Sequence, residues 1–375
     1  MAGLYIHIPF CSQKCIYCDF YSVPVREKAD EYIKSILAEL KSRIRELDGE
    51  EISTIYLGGG TPSMLSLEQI GYLISNIGSI CDLDDVAEFT MEVNPDDITQ
   101  EYANGLHGMN INRISMGIQS FNDDELKTIK RRHDSSQAAD ALEYLKKAGF
   151  ENISIDLIYC LPGQTLESWS ETVNRAVNAG VQHISAYGLT YEEGTAIYKM
   201  RDRGEVTEAT ETMYVDFYKI LTEKLRKAGF VHYEISNFAL AGKYSRHNCS
   251  YWNDMAYLGL GSSAHSYTGN KRRFNPNGVR EYIRAMNNGE IFYRTEEETI
   301  YERYNDFVMT RLRTMWGIDM AELKNKFGES LVSFFEKNSK KYILSGDLLV
   351  NEGTVKISQD GIMLSDSIFR DLFYV

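Results

Sequence analysis

The sequence has no apolar run long enough to cross a bilayer, and residues 1–10 carry no basic region of the kind that opens a signal peptide. Both absences lead to the expectation of a cytoplasmic protein. Cysteine is scarce: six in 375 residues is too few for a disulfide scaffold. No G-x-x-x-x-G-K-[ST] pattern occurs, so a nucleotide P-loop is not expected. Low-complexity tracts are missing too. Positive charge is outweighed, with 40 Lys and Arg against 54 Asp and Glu and a formal net charge of −14. That balance disfavours unassisted binding to nucleic acid or to an anionic membrane, so no nucleic-acid partner is expected. What remains is an ordinary globular composition, 43% hydrophobic and 25% charged, on a chain long enough for one large domain and one or two small ones.

The first 190 residues alternate short apolar runs with helical patterns, the signature of repeated βα units and a parallel sheet. Strands are expected near 4–8, 55–57, 88–92, 114–118, 153–159 and 184–189. Helices are expected over 27–47, 67–80, 136–148 and 166–179, with Gly149 and Gly180 placed to end two of them. Six such units predict an α/β fold, a partial (β/α)6 version of the eightfold TIM-like barrel. A further helix over 210–229 runs into 230–238. Residues 240–278, rich in glycine, asparagine and aromatics, read as a structured loop region. Beyond about 290, helices over 298–315 and 318–326 precede short strands at 348–350, 355–357 and 362–364, predicting a small α+β domain that resembles a winged helix. The expected division is 1–235 for the barrel, 236–290 for a loop segment that closes it, and 291–375 for the C-terminal domain.

Three of the six cysteines crowd into Cys11-Ser-Gln-Lys-Cys15-Ile-Tyr-Cys18, a C-x3-C-x2-C pattern directly after the first expected strand. Barrel enzymes build their sites on such loops. A zinc knuckle would need a fourth ligand from elsewhere in the chain. A cubane iron–sulfur cluster has four irons, so three thiolates leave one iron open to chelation by the amine and carboxylate of an amino acid. Gly58-Gly59-Gly60-Thr61-Pro62 follows the second strand, where side-chain-free backbone allows close approach to a ligand or serves a tight turn. Polar residues then close successive strands: Glu92 and Asn94, Gln119, and Asp156 inside an otherwise apolar run. A buried Asp156 needs a partner, either an arginine such as Arg131 or the hydroxyls of a ligand.

Taken together, Tyr5-Ile-His-Ile-Pro-Phe-Cys11, the cysteine triad, the glycine loop, Glu92-x-Asn94-Pro95, Gly117-Ile-Gln119-Ser-Phe121 and Asp156-Leu-Ile-Tyr-Cys-Leu-Pro-Gly163 resemble the radical SAM family. The resemblance is to the branch that holds oxygen-independent coproporphyrinogen III oxidase and the HemW-type haem chaperones. It implies a [4Fe–4S] cluster on Cys11, Cys15 and Cys18 as metal ligands. It also implies S-adenosylmethionine held by Tyr5, Tyr17, Gly59, Gly60, Thr61 and Thr190, with Glu92 near its methionine end and Gln119, Arg131 and Asp156 around its adenosyl group. Arg132, next to Arg131, leaves that assignment open by one residue.

Within the branch, two departures separate this chain from the oxidase. The oxidase pattern is similar to C-x3-C-x2-C-x-C, whereas Phe20 stands at the last position here, and the oxidase has an extension before the first strand. His247-Asn248-Cys249-Ser250-Tyr251-Trp252 resembles the H-N-x-x-Y-W pattern associated with haem in the chaperones. Imidazole or tyrosinate can ligate haem iron, and indole offers porphyrin a flat face. The alternative is that these three aromatics pack the open side of the barrel. His265 is a second candidate ligand. Lys243, Arg246, Lys271, Arg272 and Arg273 read as a basic island suited to haem propionates. Haem, and acceptor haemoproteins that include respiratory membrane-associated ones, are the partners the resemblance implies, with a homodimer left open. A haem chaperone is the favoured function and the oxidase the alternative. Cys81, Cys160 and Cys249 have no motif that gives them a role. The C-terminal domain, lacking a basic recognition helix, is expected to be a lid or a docking surface.

Overall fold

The computed structural model describes residues 1–24 and 27–375. Six parallel strands run in chain order across the middle of one sheet: β1 (Ala2–Ile8), β2 (Ile52–Gly59), β3 (Glu88–Val93), β4 (Arg113–Gln119), β5 (Ile153–Tyr159) and β6 (His183–Gly188). Helices Ala29–Arg43, Leu67–Gly78, Gln100–Gly108, Ser135–Lys147 and Leu166–Asn178 connect them. The strands alternate with period two, so each presents two different faces. On β4, Ile114, Met116 and Ile118 pack into the main core against the helices, while Ser115 and Gly117 look the other way into a cavity. Three of the helices begin with capping boxes, at Ser66–Gln69, Asp134–Gln137 and Thr165–Ser168, which explains why they start where they do.

The sheet continues past both ends of this block. Strands β7 (Val231–Glu234) and β8 (Asn237–Ala239) add antiparallel beyond β6. On the other side, β9 (Tyr257–Leu260) runs parallel to β1, followed by β10 (His265–Tyr267), β11 (Lys271–Phe274) and β12 (Arg294–Glu297). The first and sixth strands do not pair with one another, so the sheet is open. Residues 240–278 are therefore not the loop region that the sequence suggests. They contain the helix Arg246–Trp252 and three strands of three or four residues, too short for their alternation to stand out.

A buried carboxylate fastens this extension. Glu39, 1% exposed, accepts from Arg43 Nη1 at 2.6 Å, Gly261 N at 2.9 Å, Asn275 Nδ2 at 2.8 Å and the Tyr282 hydroxyl at 2.7 Å. Replacing Glu39 with alanine removes the most buried acid from Arg43, which keeps Glu46, and leaves the Gly261 amide and the Tyr282 hydroxyl unpaired. The expected loss is about 3–5 kcal/mol of unfolding free energy in denaturant titration. A loss below about 1 kcal/mol would show that the network carries no load.

A second core gathers Tyr304, Phe307, Leu312, Leu323, Phe335, Ile368 and neighbours from the C-terminal part. It contains the helix Ile300–Leu312, β13 (Ile318–Asp319), the helix Met320–Ser345 broken at Gly328, and a hairpin of β14 (Leu348–Asn351) and β15 (Thr354–Ile357). Two expectations need correction. The helix expected over 318–326 starts later and runs far longer, and 362–364 is a 3₁₀ turn rather than a strand, leading into the helix Ser365–Leu372. Gly361 lies against the Asp347 backbone there, and the three apolar residues after it continue into a helix. Among the described residues, no helix is long and apolar enough to cross a membrane.

Candidate functional site

The strand ends and the loops that follow them enclose a cavity of about 470 Å³. The loop after β1 brings Cys11, Cys15, Tyr17 and Cys18 to its wall, and the loop after β2 brings Gly59, Gly60 and Thr61. Glu92 and Asn94 enter from β3, Gln119 from β4, Arg131 from the connection beyond it, Asp156 from β5 and Thr190 from beyond β6. Residues chosen from separate motifs thus face one space. Tyr5 stands behind the wall, its ring 6.1 Å from that of Tyr56.

The three thiols are free and half-buried. Cys11 Sγ lies 3.0 Å from the Thr61 hydroxyl, and Arg131 Nη1 points at Cys15 Sγ from 3.5 Å. Burial pushes the Cys18 thiol up to about 11, and the neighbouring Cys15 and Cys11 push in the same direction. Three sulfurs gathered on one short loop are the arrangement a multiply charged metal centre relieves. Their loop is held from the side, where Ile16 packs in a small core with Ile129, Ile158, Leu161 and Ile197, and the Ile197 amide donates to the Ile16 carbonyl. Among the described residues, no three His, Cys, Asp or Glu side chains converge on a single-ion position.

The glycine loop is glycine because the protein itself fills the space. Gly59 has φ +109°, and a Cβ there would lie 2.5 Å from the His7 ring; a Cβ on Gly60 would lie 2.8 Å from the Phe10 carbonyl oxygen. This close approach leaves the Gly59 amide donating to Glu92 Oε2 at 3.0 Å, while the Tyr56 hydroxyl donates to Oε1 at 2.8 Å. Burial nevertheless pushes the Glu92 carboxyl up to about 7, with Asp156 adding to the shift and the two hydrogen bonds opposing it. Asp156 is also raised by burial, eased by Ser185, Arg113 and Ser115. The Ser115 hydroxyl stands 3.3 Å from Asp156 Oδ2. Its hydrogen-bond partners are therefore these serines and not the arginine weighed from sequence.

Arg131 and Arg132 differ in their surroundings. Arg131 faces the cavity, its Nη2 donating to Asn94 Oδ1 at 2.8 Å and to the Gly117 carbonyl at 2.5 Å. Arg132 also borders the cavity but is less buried and pairs with Asp96 and Asp97. Gln119 adopts φ +68° at a bulge where the β4–β5 register shifts between Gly117 and Gln119. Bulges of this kind re-aim a side chain at a site. Several lining residues lie outside the motifs, among them Tyr56, Ser185, Tyr187 and the buried Arg113. Arg113 stands at the edge of its strand, where the sequence reads it as a flanking residue.

His247 and Tyr251 do meet. Both lie on the helix Arg246–Trp252, whose first amides are held by the Glu88 carboxylate. The His247 ring is 1% exposed, stacked 5.1 Å from Tyr56, with Nδ1 2.8 Å from the Thr54 hydroxyl and Nε2 2.7 Å from the Tyr251 hydroxyl. Burial lowers its pKa to about 3, so the ring is neutral, and both its nitrogens are occupied. Asn248, the next residue, forms part of the cavity wall. Trp252 packs edge-on against Tyr233. His265 stacks on Phe274 in the sheet extension, away from this cluster. The basic island is largely neutralised. Arg272 pairs with Glu298 and Asp306, Arg273 with Glu46, and Lys271 with Glu297, because β12 lays an acidic run beside β11.

Comparison with known proteins accounts for this arrangement. The model of the Radical SAM superfamily matches residues 5–176, and that of the HemN C-terminal domain matches residues 301–364. The chain is 35% identical to the heme chaperone HemW of Bacillus subtilis (strain 168), over 98% of each chain. It is 36% identical to the heme chaperone HemW of Lactococcus lactis subsp. lactis (strain IL1403), over 98% of this chain and 96% of that one. The chain belongs to the HemW family of radical SAM proteins. The HemW-type fold is shared with the solved coproporphyrinogen III oxidase of Escherichia coli, at a TM-score of 0.86 and 23% identity over 99% of this chain and 90% of that one. Radical SAM membership implies iron–sulfur and S-adenosylmethionine chemistry, and the separate C-terminal match coincides with the second core.

Proposed function

We propose that this protein binds haem and delivers it to acceptor haemoproteins, with a [4Fe–4S] cluster and S-adenosylmethionine seated in the cavity as its second ligand set. The observation that carries the reading is the end-to-end match, at 35–36% identity, to proteins named as haem chaperones. We take the open sheet to be a partial barrel, the C-terminal unit to be winged-helix-like, and the protein to work in the cytoplasm.

The donor set fits the cluster. Three thiols on one short loop face a common space, so Cys11, Cys15 and Cys18 would hold the cluster and the nucleotide would complete its ligand set. When bound, the reduced cluster would supply an electron to the sulfonium of S-adenosylmethionine. The chain's own residues orient and stabilise. Thr61 and Arg131 lend donors to the thiolates of Cys11 and Cys15. Glu92, already holding the Gly59 amide, would take the ligand's ammonium group, and Asp156 and Gln119 its ribose and base. Tyr17 and Thr190 would wall it from solvent.

For haem, His247 and Tyr251 are the ligand pair. Because both imidazole nitrogens are engaged, ligation by His247 requires Tyr251 to release Nε2 first. The exposed Phe20 at the cavity mouth, where the oxidase pattern has cysteine, favours the chaperone over the oxidase. The test is a paired assay on anaerobically reconstituted protein. Hemin should titrate to a Soret end point near one per chain, and coproporphyrinogen III should persist when reductant and S-adenosylmethionine are supplied. Conversion to protoporphyrinogen would establish the oxidase instead.

A further inference from the structure

Arg113 is the most deeply buried arginine of the cavity wall, and no motif accounts for it. It is the first residue of β4, and it is 2% exposed. In register it sits opposite Thr90 of β3, two residues before Glu92, while on the far side Gly117 of the same strand sits opposite Asp156 of β5. Arg113, Glu92 and Asp156 thus come from neighbouring strands and line one cavity. The charge of Arg113 is felt by both, opposing the effect of burial on each. Yet its Nε has no hydrogen-bond partner, and no ion pair ties it to either carboxylate among the described residues. A guanidinium has five donors, and burying one unspent is costly.

The other groups around this trio do not compete with it. Tyr56 on β2, Tyr5 on β1, Tyr187 on β6 and Tyr251 on the 246–252 helix face Glu92, and burial keeps all four phenols protonated. Asp156 meets Ser115, Ser185 and, further off, Arg131. Around Arg113 itself, His183 on β6 and His247 are neutral, and Tyr233 on β7 and Cys249 are protonated. Two further buried carboxylates on this side are engaged elsewhere, Glu88 with the Arg246 and His247 amides and Glu234 with Arg313 and Asn237, and Arg131 is already spent on Asn94, Gly117 and Cys15.

We propose that Arg113 is a positioning residue for the nucleotide: buried beside Glu92 and Asp156 in the wall of one cavity, with its Nε unpaired, it lends its positive charge to both carboxylates so that they can accept from the ligand's ammonium and ribose hydroxyls. This rests on the reading of the cavity as the S-adenosylmethionine site. It predicts a defect that depends on pH, which a merely structural residue would not give. The test measures S-adenosylmethionine binding to the reconstituted holoprotein by calorimetry, from pH about 6 to about 9.

In the unsubstituted protein, affinity should fall as pH drops through about 7, where Glu92 takes up a proton. In Arg113→Met the midpoint should move up by about one unit or more. Affinity would then be about tenfold weaker at neutral pH and recover at the alkaline end. Arg113→Lys, which keeps the charge and loses the fork, should retain the original midpoint. A loss in Arg113→Met that is the same at every pH, or a midpoint in Arg113→Lys displaced upward, would overturn the proposal. Should Arg113→Met fail to fold, the lysine variant decides alone by the same criterion. Failure of the unsubstituted holoprotein to bind the nucleotide at any pH would instead remove the reading of the cavity.

Discussion

Cys15→Ala is expected to abolish cluster loading, taking bound iron and sulfide from about four of each per chain to near none after anaerobic reconstitution. The expectation follows from the tether count. With three thiols on the loop, loss of one leaves two anchored corners and two open ones, and no other cysteine lines the cavity to substitute. Cys15 is the informative choice because its neighbour is a cation. Arg131 Nη1 lies 3.5 Å from its sulfur. The fold should survive, since Cys15 is half-buried and belongs to none of the core clusters, and the melting temperature of the cluster-free variant should match that of the cluster-free parent within a few degrees. Variant protein that still takes up a full complement of iron and sulfide would place the cluster elsewhere.

The second large effect concerns haem. His247→Ala should weaken hemin binding, followed by Soret titration, by tenfold or more, about 1.4 kcal/mol or beyond. Tyr251→Phe separates two accounts of the pair. If His247 is the ligand, removing the Tyr251 hydroxyl frees Nε2 and hemin should bind faster than in the parent. If Tyr251 is the ligand, the same change should weaken binding instead. The pH dependence adds a sign. Burial holds the His247 imidazole neutral down to about pH 3, so its capacity to ligate iron should not decline as pH falls from 8 to 5. The alanine variant leaves the Thr54 and Tyr251 hydroxyls unpaired in the interior, costing about 1–3 kcal/mol of stability, so binding must be compared on protein shown to be folded.

The first half of the fold was legible because its strands are buried runs of Ile, Leu and Val separated by capped helices, and each chemical motif sits at the end of such a run. Asp156 stood out as a charge inside apolar sequence. Arg113 is just as informative, yet at the edge of its strand it reads as a flanking residue, and only the sheet register turns it toward the cavity. The strands of 257–274 were too short to announce themselves, and their place depends on pairing β9 with β1, some 250 residues away. The basic run Lys271–Arg273 reads as a patch in isolation and is neutral in the fold, because β12 and Glu46 supply acids that no local pattern reveals. His247 was legible as a motif but not in its setting, since Thr54 and Glu88, which fix it, come from β2 and β3.

The central claim is that three thiolates at the cavity leave one iron of a cubane free for the amino-acid end of a sulfonium nucleotide. The most direct measurement is electron paramagnetic resonance of the anaerobically reconstituted, reduced protein with and without S-adenosylmethionine. A cluster signal whose g-values change on adding the nucleotide, and which no longer responds in Glu92→Gln, is the predicted result. A signal indifferent to the nucleotide, or the absence of any iron–sulfur signal from protein with all three cysteines intact, would contradict it.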